Sequence, residues 1–221
     1  MNEALFLGHI LLVLAFVLGA LRLGKNCLIA IISLQAVLAN LFVVKQMDLL
    51  GFSVTCSDVF AIGGILALNL LQEYFGKESA ALAVKISFFS LIFFAVMSQI
   101  HLLYAPNIHD STHLGFQTVF SATPRVVGAS ILVFYLVQKM DLQLFGFLKN
   151  LCQGKKLGVR IGISLLVSQF FDTVLFSFLG LYGLLESLFD IILISFLVKC
   201  LIIACSSPFV VFSRRFVKEE A

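Results

Sequence analysis

Charge is what this chain lacks. Only 12% of its 221 residues are Asp, Glu, Lys or Arg, against roughly 25% in a soluble domain. A water-facing surface cannot be covered from that supply. The chain is instead 61% hydrophobic. Apolar runs about as long as a bilayer is thick recur along it, which reads as an all-α, polytopic integral membrane protein. Period-2 alternation over segments of about ten residues, the mark of an outer-membrane barrel, is absent. The five cysteines, Cys27, Cys56, Cys152, Cys200 and Cys205, are odd in number and scattered, with no CxxC. They give neither a disulfide framework nor a zinc or iron–sulfur site. Gly76-Lys77 and Gly154-Lys155 lack the rest of a GxxxxGK[ST] loop, so ATP hydrolysis by that device is not expected, and no cofactor is expected either. The formal net charge of +3 comes from basic residues set between apolar runs rather than on one face. That is no nucleic-acid signal. No Pro/Ser linker divides the chain, which predicts a single domain over 1–221.

The apolar runs predict seven spans: about Ala4–Leu21, Cys27–Val44, Asp58–Tyr74, Ala80–Tyr104, Arg125–Phe147, Val159–Leu181 and Leu188–Phe212. The third is the least hydrophobic and carries Gly63-Gly64. Its approach, Gly51 to Cys56, reads as re-entrant or interfacial rather than helical. The last contains Pro208, which predicts a kink or an early end. With the N-terminus outside, the cytoplasmic positions take Arg22, Lys25, Lys77, Lys149, Lys155, Lys156, Arg160, Arg214, Arg215 and Lys218, and the outer positions take Lys45 and Arg125. That asymmetry fits the positive-inside rule. Met1-Asn2-Glu3 offers no basic n-region, so the first run reads as a retained helix rather than a signal peptide. Tyr74, Tyr104 and Tyr182 fall at span ends, where interfacial aromatics belong.

Ionisable side chains at mid-bilayer cost a few kcal/mol, so those present are functional candidates first. Gln138 and Asp141, and Gln169 and Asp172, each lie three residues apart on consecutive spans. That spacing puts an amide and a carboxylate on one helix face, turned to the bundle. Such a pair can accept and donate to the edge of a planar heterocycle; the plainer reading is polar glue between helices. Phe145 and Phe176 follow one turn after each Asp and offer stacking surface. Lys199 lies deep in its span as counter-ion to one of the carboxylates. Glu73 reads as a solvated cap at a span end. Arg125 opens the fifth span, either snorkelled or as a gate, with Ala129-Ser130 small enough for close helix contact. His109 and His113 stand four apart in a polar loop and read as solvated chain.

These residues resemble a known family. Asn69-Leu70-Leu71-Gln72-Glu73-Tyr74-Phe75-Gly76-Lys77 is similar to its D-x-x-x-E-x-[YF]-G-[KR] segment. Arg125 to Ser130 resembles R-x-x-x-A-S, and Gln138 to Phe145 resembles Q-x-x-D-x-x-x-F. Ser164 and Ser168-Gln169-Phe170-Phe171-Asp172-Thr173-Val174-Leu175-Phe176 resemble its next helix. Lys199, Pro208 and Asn40 also match. The family is the queuosine precursor transporters of the vitamin uptake transporter class, and the resemblance covers about Cys27 to Phe212.

It says nothing about the first helix, which looks like an addition to a six-helix core; with no nucleophile–base pair at helical spacing and no HExxH, an enzyme is not expected. The resemblance implies import across the cytoplasmic membrane of 7-deazaguanine bases for queuosine salvage into tRNA. The implied partners are a purine-like small molecule and the bilayer, with a homo-oligomer or a separate energising subunit left open. The substrate would bind between the fifth, sixth and seventh spans at Asp141 and Asp172, with Gln138, Gln169, Asn69 and Asn40. Glu73, Arg125 and Lys199 would gate or balance charge. The sequence departs from the family at Asn69, where the family has Asp, and at Gly63-Gly64, where Phe-Pro is usual. The rival readings are a proton or cation pathway lined by the same carboxylates, an intramembrane enzyme, and a structural subunit.

Overall fold

The computed structural model describes residues 2–43, 45–120, 124–182 and 188–216. Met1, Val44 and Lys218 lie outside the described residues, as do the side chains of Pro124, Pro208 and Arg214. Seven α-helices account for nearly all of it: α1 (Asn2–Leu23), α2 (Lys25–Phe42), α3 (Asp58–Leu103), α4 (His113–Phe120), α5 (Pro124–Leu151), α6 (Leu157–Phe176) and α7 (Leu188–Phe212). Among the described residues, five helices are long and apolar enough to cross a membrane. α7 has only a shorter strongly apolar stretch, Ile192–Ser206.

The distribution of side chains is that of a protein in lipid. Phe16, Phe89, Phe93 and Leu103 stand more than half exposed, while Arg160, Asp141, Gln169 and Asn69 are 0% exposed. Large exposed apolar surface would be a liability in water. In a bilayer it is solvated by acyl chains, and polar groups turn inward to find partners.

α3 is 46 residues long, about 69 Å at 1.5 Å per residue. That is roughly twice the thickness of a bilayer core. Its one non-helical residue is Gly76, at φ 85° and ψ 165°, a conformation open essentially to glycine. The third and fourth runs are therefore joined at a single-residue corner. The second of them begins at Lys77, three residues before the Ala80 expected from hydropathy. α7 continues past Pro208 to Phe212, so an early end at that residue is corrected. The fifth-to-sixth connection turns through Gly154 at φ 72° and Lys156 at φ 54°.

The segment before α3 is a two-stranded antiparallel hairpin, β1 (Gln46–Leu49) and β2 (Phe52–Thr55). It is neither helical nor irregular. Asn2 Nδ2 donates to the Asp48 carbonyl at 2.9 Å, which fixes the hairpin at the end of the bundle where α1 begins. Leu49 and Val54 are each 3% exposed and anchor it on the helices. At the same end, Asp110 Oδ1 accepts from the Thr112 and His113 backbone N–H groups and from Thr112 Oγ1. The carboxylate thus caps α4, and these donors, Thr112 foremost, hold its pKa below the usual carboxylate range.

Helices in lipid gain little from the hydrophobic effect and associate through close packing. Gly63 shows how. A Cβ there would collide with Gln35 Oε1 of α2 and lie 2.6 Å from Val13 Cγ1 of α1. Gly63 is the place where three helices meet without room for a methyl group.

Candidate functional site

A cavity of about 160 Å³ opens among α2, the first half of α3, α5, α6 and α7, with Thr55 and Ser57 of the hairpin end on its rim. It has the room of about five waters at about 30 Å³ each. Drug-sized pockets start at about 300 Å³, so this one suits a small cargo. The site is wider than the three helices anticipated: α2 contributes Asn40, an expected site residue, and α3 contributes Asp58, Gly64 and Ile65, which were not expected.

The charged part is a triad. Lys199 Nζ donates to Asp172 Oδ2 at 2.6 Å and stands 3.9 Å from Asp58 Oδ1. The lysine side chain is 5% exposed, that of Asp58 9% and that of Asp172 26%. Asp58 Oδ2 is buried without a hydrogen-bond partner. Asp58 had no signal in the sequence beyond its place as the first residue of a span, where an acid reads as a solvated cap.

The neutral part is made of amides. Gln138 and Gln169 both line the cavity and are 3% and 0% exposed. Gln138 Oε1 and both amide atoms of Gln169 have no partner. Buried polar groups are normally paired, and leaving each unmet costs about 1–3 kcal/mol. Asn40 is already engaged, donating to the Ala36 carbonyl at 3.1 Å and accepting from Ser130 Oγ at 2.5 Å. Phe176 lines the cavity where α6 passes into a π-helical turn, Ser177–Leu181, the kind of helix irregularity that gathers at functional sites.

Asp141 does not join this group. It is 0% exposed, is not among the cavity-lining residues, and accepts through Oδ1 from Ser164 at 2.6 Å and Ser168 at 2.7 Å. Asn69 is equally buried and lies beside the Asp141 carboxylate, with neither amide atom in good hydrogen-bond geometry. The two helix faces with the same Gln/Asp spacing therefore serve differently. Gln169 and Asp172 both reach the cavity, whereas Gln138 reaches it and Asp141 is held by serines on α6. Phe145 lies at 0% exposure in the core with the Arg160 guanidinium 5.4 Å from its ring, away from the cavity.

Glu73 is not a solvated cap. Arg160 Nη1 and Nη2 donate to its two oxygens at 3.0 and 2.9 Å, and Lys149 Nζ stands 3.1 Å from Oε2. Arg160 also donates to the Lys155 and Gly154 carbonyls. This cluster ties α3, α5 and α6 together at the end opposite the hairpin, and none of its three side chains lines the cavity. From the sequence, Arg160 stands out only as an inside-facing charge. Arg125, at the hairpin end, is exposed and donates through Nε to the Leu179 carbonyl at 2.9 Å.

A family described as "Putative vitamin uptake transporter" matches residues 57–213. The chain belongs to the vitamin uptake transporter family. A Bacillus subtilis (strain 168) protein described as "Probable queuosine precursor transporter" is 30% identical over 216 residues, 96% of this chain and 93% of that protein. No solved structure matches. The family match begins just before α3 and ends just after α7, so it takes in four of the five helices that supply the cavity and all three residues of the Glu73 cluster. The match to the relative extends into the helices before it, α1 included, since α1 occupies 22 residues and only a few lie outside the aligned length.

Proposed function

We propose that this chain imports queuosine precursors, 7-deazaguanine bases, across the cytoplasmic membrane. It would do so through seven spans, with the N-terminus outside and the C-terminus inside. One observation carries the reading: a small cavity deep in the bundle where unpaired buried amides adjoin a Lys–carboxylate triad. A guanine-like edge offers in-plane donors and acceptors that answer Gln138 and Gln169, with Asp172 as acceptor and Phe176 as stacking surface. The relative's description supports the same cargo class. Asn40 and Ser130 would fix the wall, Asp141 and Asn69 the packing behind Gln138. Glu73 with Arg160 would close the cytoplasmic end, and Arg125 would tie the outer mouth.

The test is salvage. The chain is expressed in cells that can neither make the queuosine base nor import its precursors. Each precursor is supplied separately and queuosine in tRNA is measured, with Asp172→Asn run at matched membrane level. Queuosine that appears with the chain and falls at least tenfold in the variant supports the reading. Its absence with every precursor, despite membrane expression and working downstream enzymes, rejects it.

A further inference from the structure

We infer that Asp58 makes the cavity selective for a cargo bearing a protonated amine, so that among 7-deazaguanine bases a cationic aminomethyl arm is preferred to a neutral cyano arm. This rests on the reading above and sharpens it. Among the described residues, the charged side chains that line the cavity are Asp58, Asp172 and Lys199, two acids to one base, which gives this group one negative charge in excess when all three are ionised. The lysine's short contact goes to Asp172 at 2.6 Å, and at 3.9 Å it makes no hydrogen bond to Asp58. Asp58 keeps one oxygen buried and unpartnered. It sits in the first turn of α3, where the helix dipole favours the anion.

An excess charge away from water is costly unless the carboxylate takes up a proton or a counter-charge arrives. A cargo with an ammonium group supplies it and donates to the free oxygen in a charge-assisted hydrogen bond. A neutral cargo of the same shape leaves that oxygen unmet. Gln169, with both amide atoms free, takes the heterocycle edge. The cavity thus has an amide side for the ring and an anionic side for the arm.

The experiment measures uptake of labelled 7-aminomethyl-7-deazaguanine and 7-cyano-7-deazaguanine, singly and in competition, in cells lacking other routes. The wild-type chain is expected to favour the aminomethyl base at least tenfold in apparent affinity. Asp58→Asn is expected to bring that ratio down tenfold or more, and Asp58→Glu to retain it. A wild-type ratio of one or below overturns the inference while leaving the import reading in place, and so does a ratio unchanged in Asp58→Asn. Uptake of neither base overturns both. The wild-type ratio is decisive even where Asp58→Asn fails to reach the membrane.

Discussion

The Glu73 cluster allows a quantitative test. Arg160 is 0% exposed and Glu73 13% exposed at the side chain, and two hydrogen bonds of 2.9–3.0 Å join them. Hydrogen bonds to charged groups contribute about 1.5–3 kcal/mol each, so two give roughly 3–6. Removing one partner of a buried pair typically costs about 3–5 kcal/mol. Glu73→Gln should therefore cost about 3–5 kcal/mol, because a buried guanidinium loses its counter-charge. Arg160→Met should cost at least as much, since the Gly154 and Lys155 carbonyls lose their donor as well. The double variant should be less damaged than the sum by about 1–3 kcal/mol, since neither buried charge then stands alone. Lys149, about a third exposed, can turn to the interface. The assay is unfolding from mild detergent into SDS, followed by circular dichroism for all four proteins. Singles costing under about 1 kcal/mol, or strict additivity, would refute the argument that this cluster is a buried, interdependent unit.

Further outcomes follow from other contacts. Gly63→Ala should destabilise by about 1–3 kcal/mol through collision with Gln35 and Val13, as overpacking does, and Gly63→Ala combined with Gln35→Ala should recover part of it in the same unfolding assay. Gly76→Ala should also cost about 1–3 kcal/mol, here from backbone strain alone, because a Cβ at Gly76 meets nothing within 4 Å; no second-site substitution of a neighbouring side chain should rescue it. Ser164→Ala with Ser168→Ala strips Asp141 of both hydroxyl donors and should cost about 3–6 kcal/mol, most of it recovered by Asp141→Asn if the anion is what suffers. Phe145→Ala should lower stability by about 3–5 kcal/mol as a core cavity, with cargo affinity in the uptake assay little changed; a large affinity loss at normal membrane level would place Phe145 in the site after all.

The sequence is most legible where one physical quantity decides. Length and hydropathy locate every long helix to within a few residues, because twenty apolar residues match a bilayer. The corner at Gly76 was less legible, since hydropathy averages over it and only the glycine's positive φ permits it. Depth along a helix singled out Gln169, Gln138 and Lys199, which are buried, and Asp172, which is partly buried, and the four share a cavity. The same argument could not separate Asp172 from Asp141: identical spacing says which face a residue shares, not which neighbour that face meets. Asp58 and Arg160 were hidden because each sits near a helix end, where charge normally meets water. Only the tertiary packing, a hairpin folded over one end and the 154–156 turn over the other, removes that water.

The corner at Gly76 has one more consequence. Helices joined by a slack loop can slide apart, but two helices joined through a single residue share a pivot. Asp58 stands 18 residues from that pivot, about 27 Å along the axis, and Glu73 three residues, about 4.5 Å. A swing of roughly 10° about Gly76 would carry Asp58 by about 5 Å while Glu73 shifted by less than about 1 Å. The first distance exceeds the 3.9 Å between Asp58 and Lys199; the second is small enough for the Arg160 fork to follow. A swing about that residue would therefore work as a lever, with long travel at the cavity and almost none at the ionic cluster.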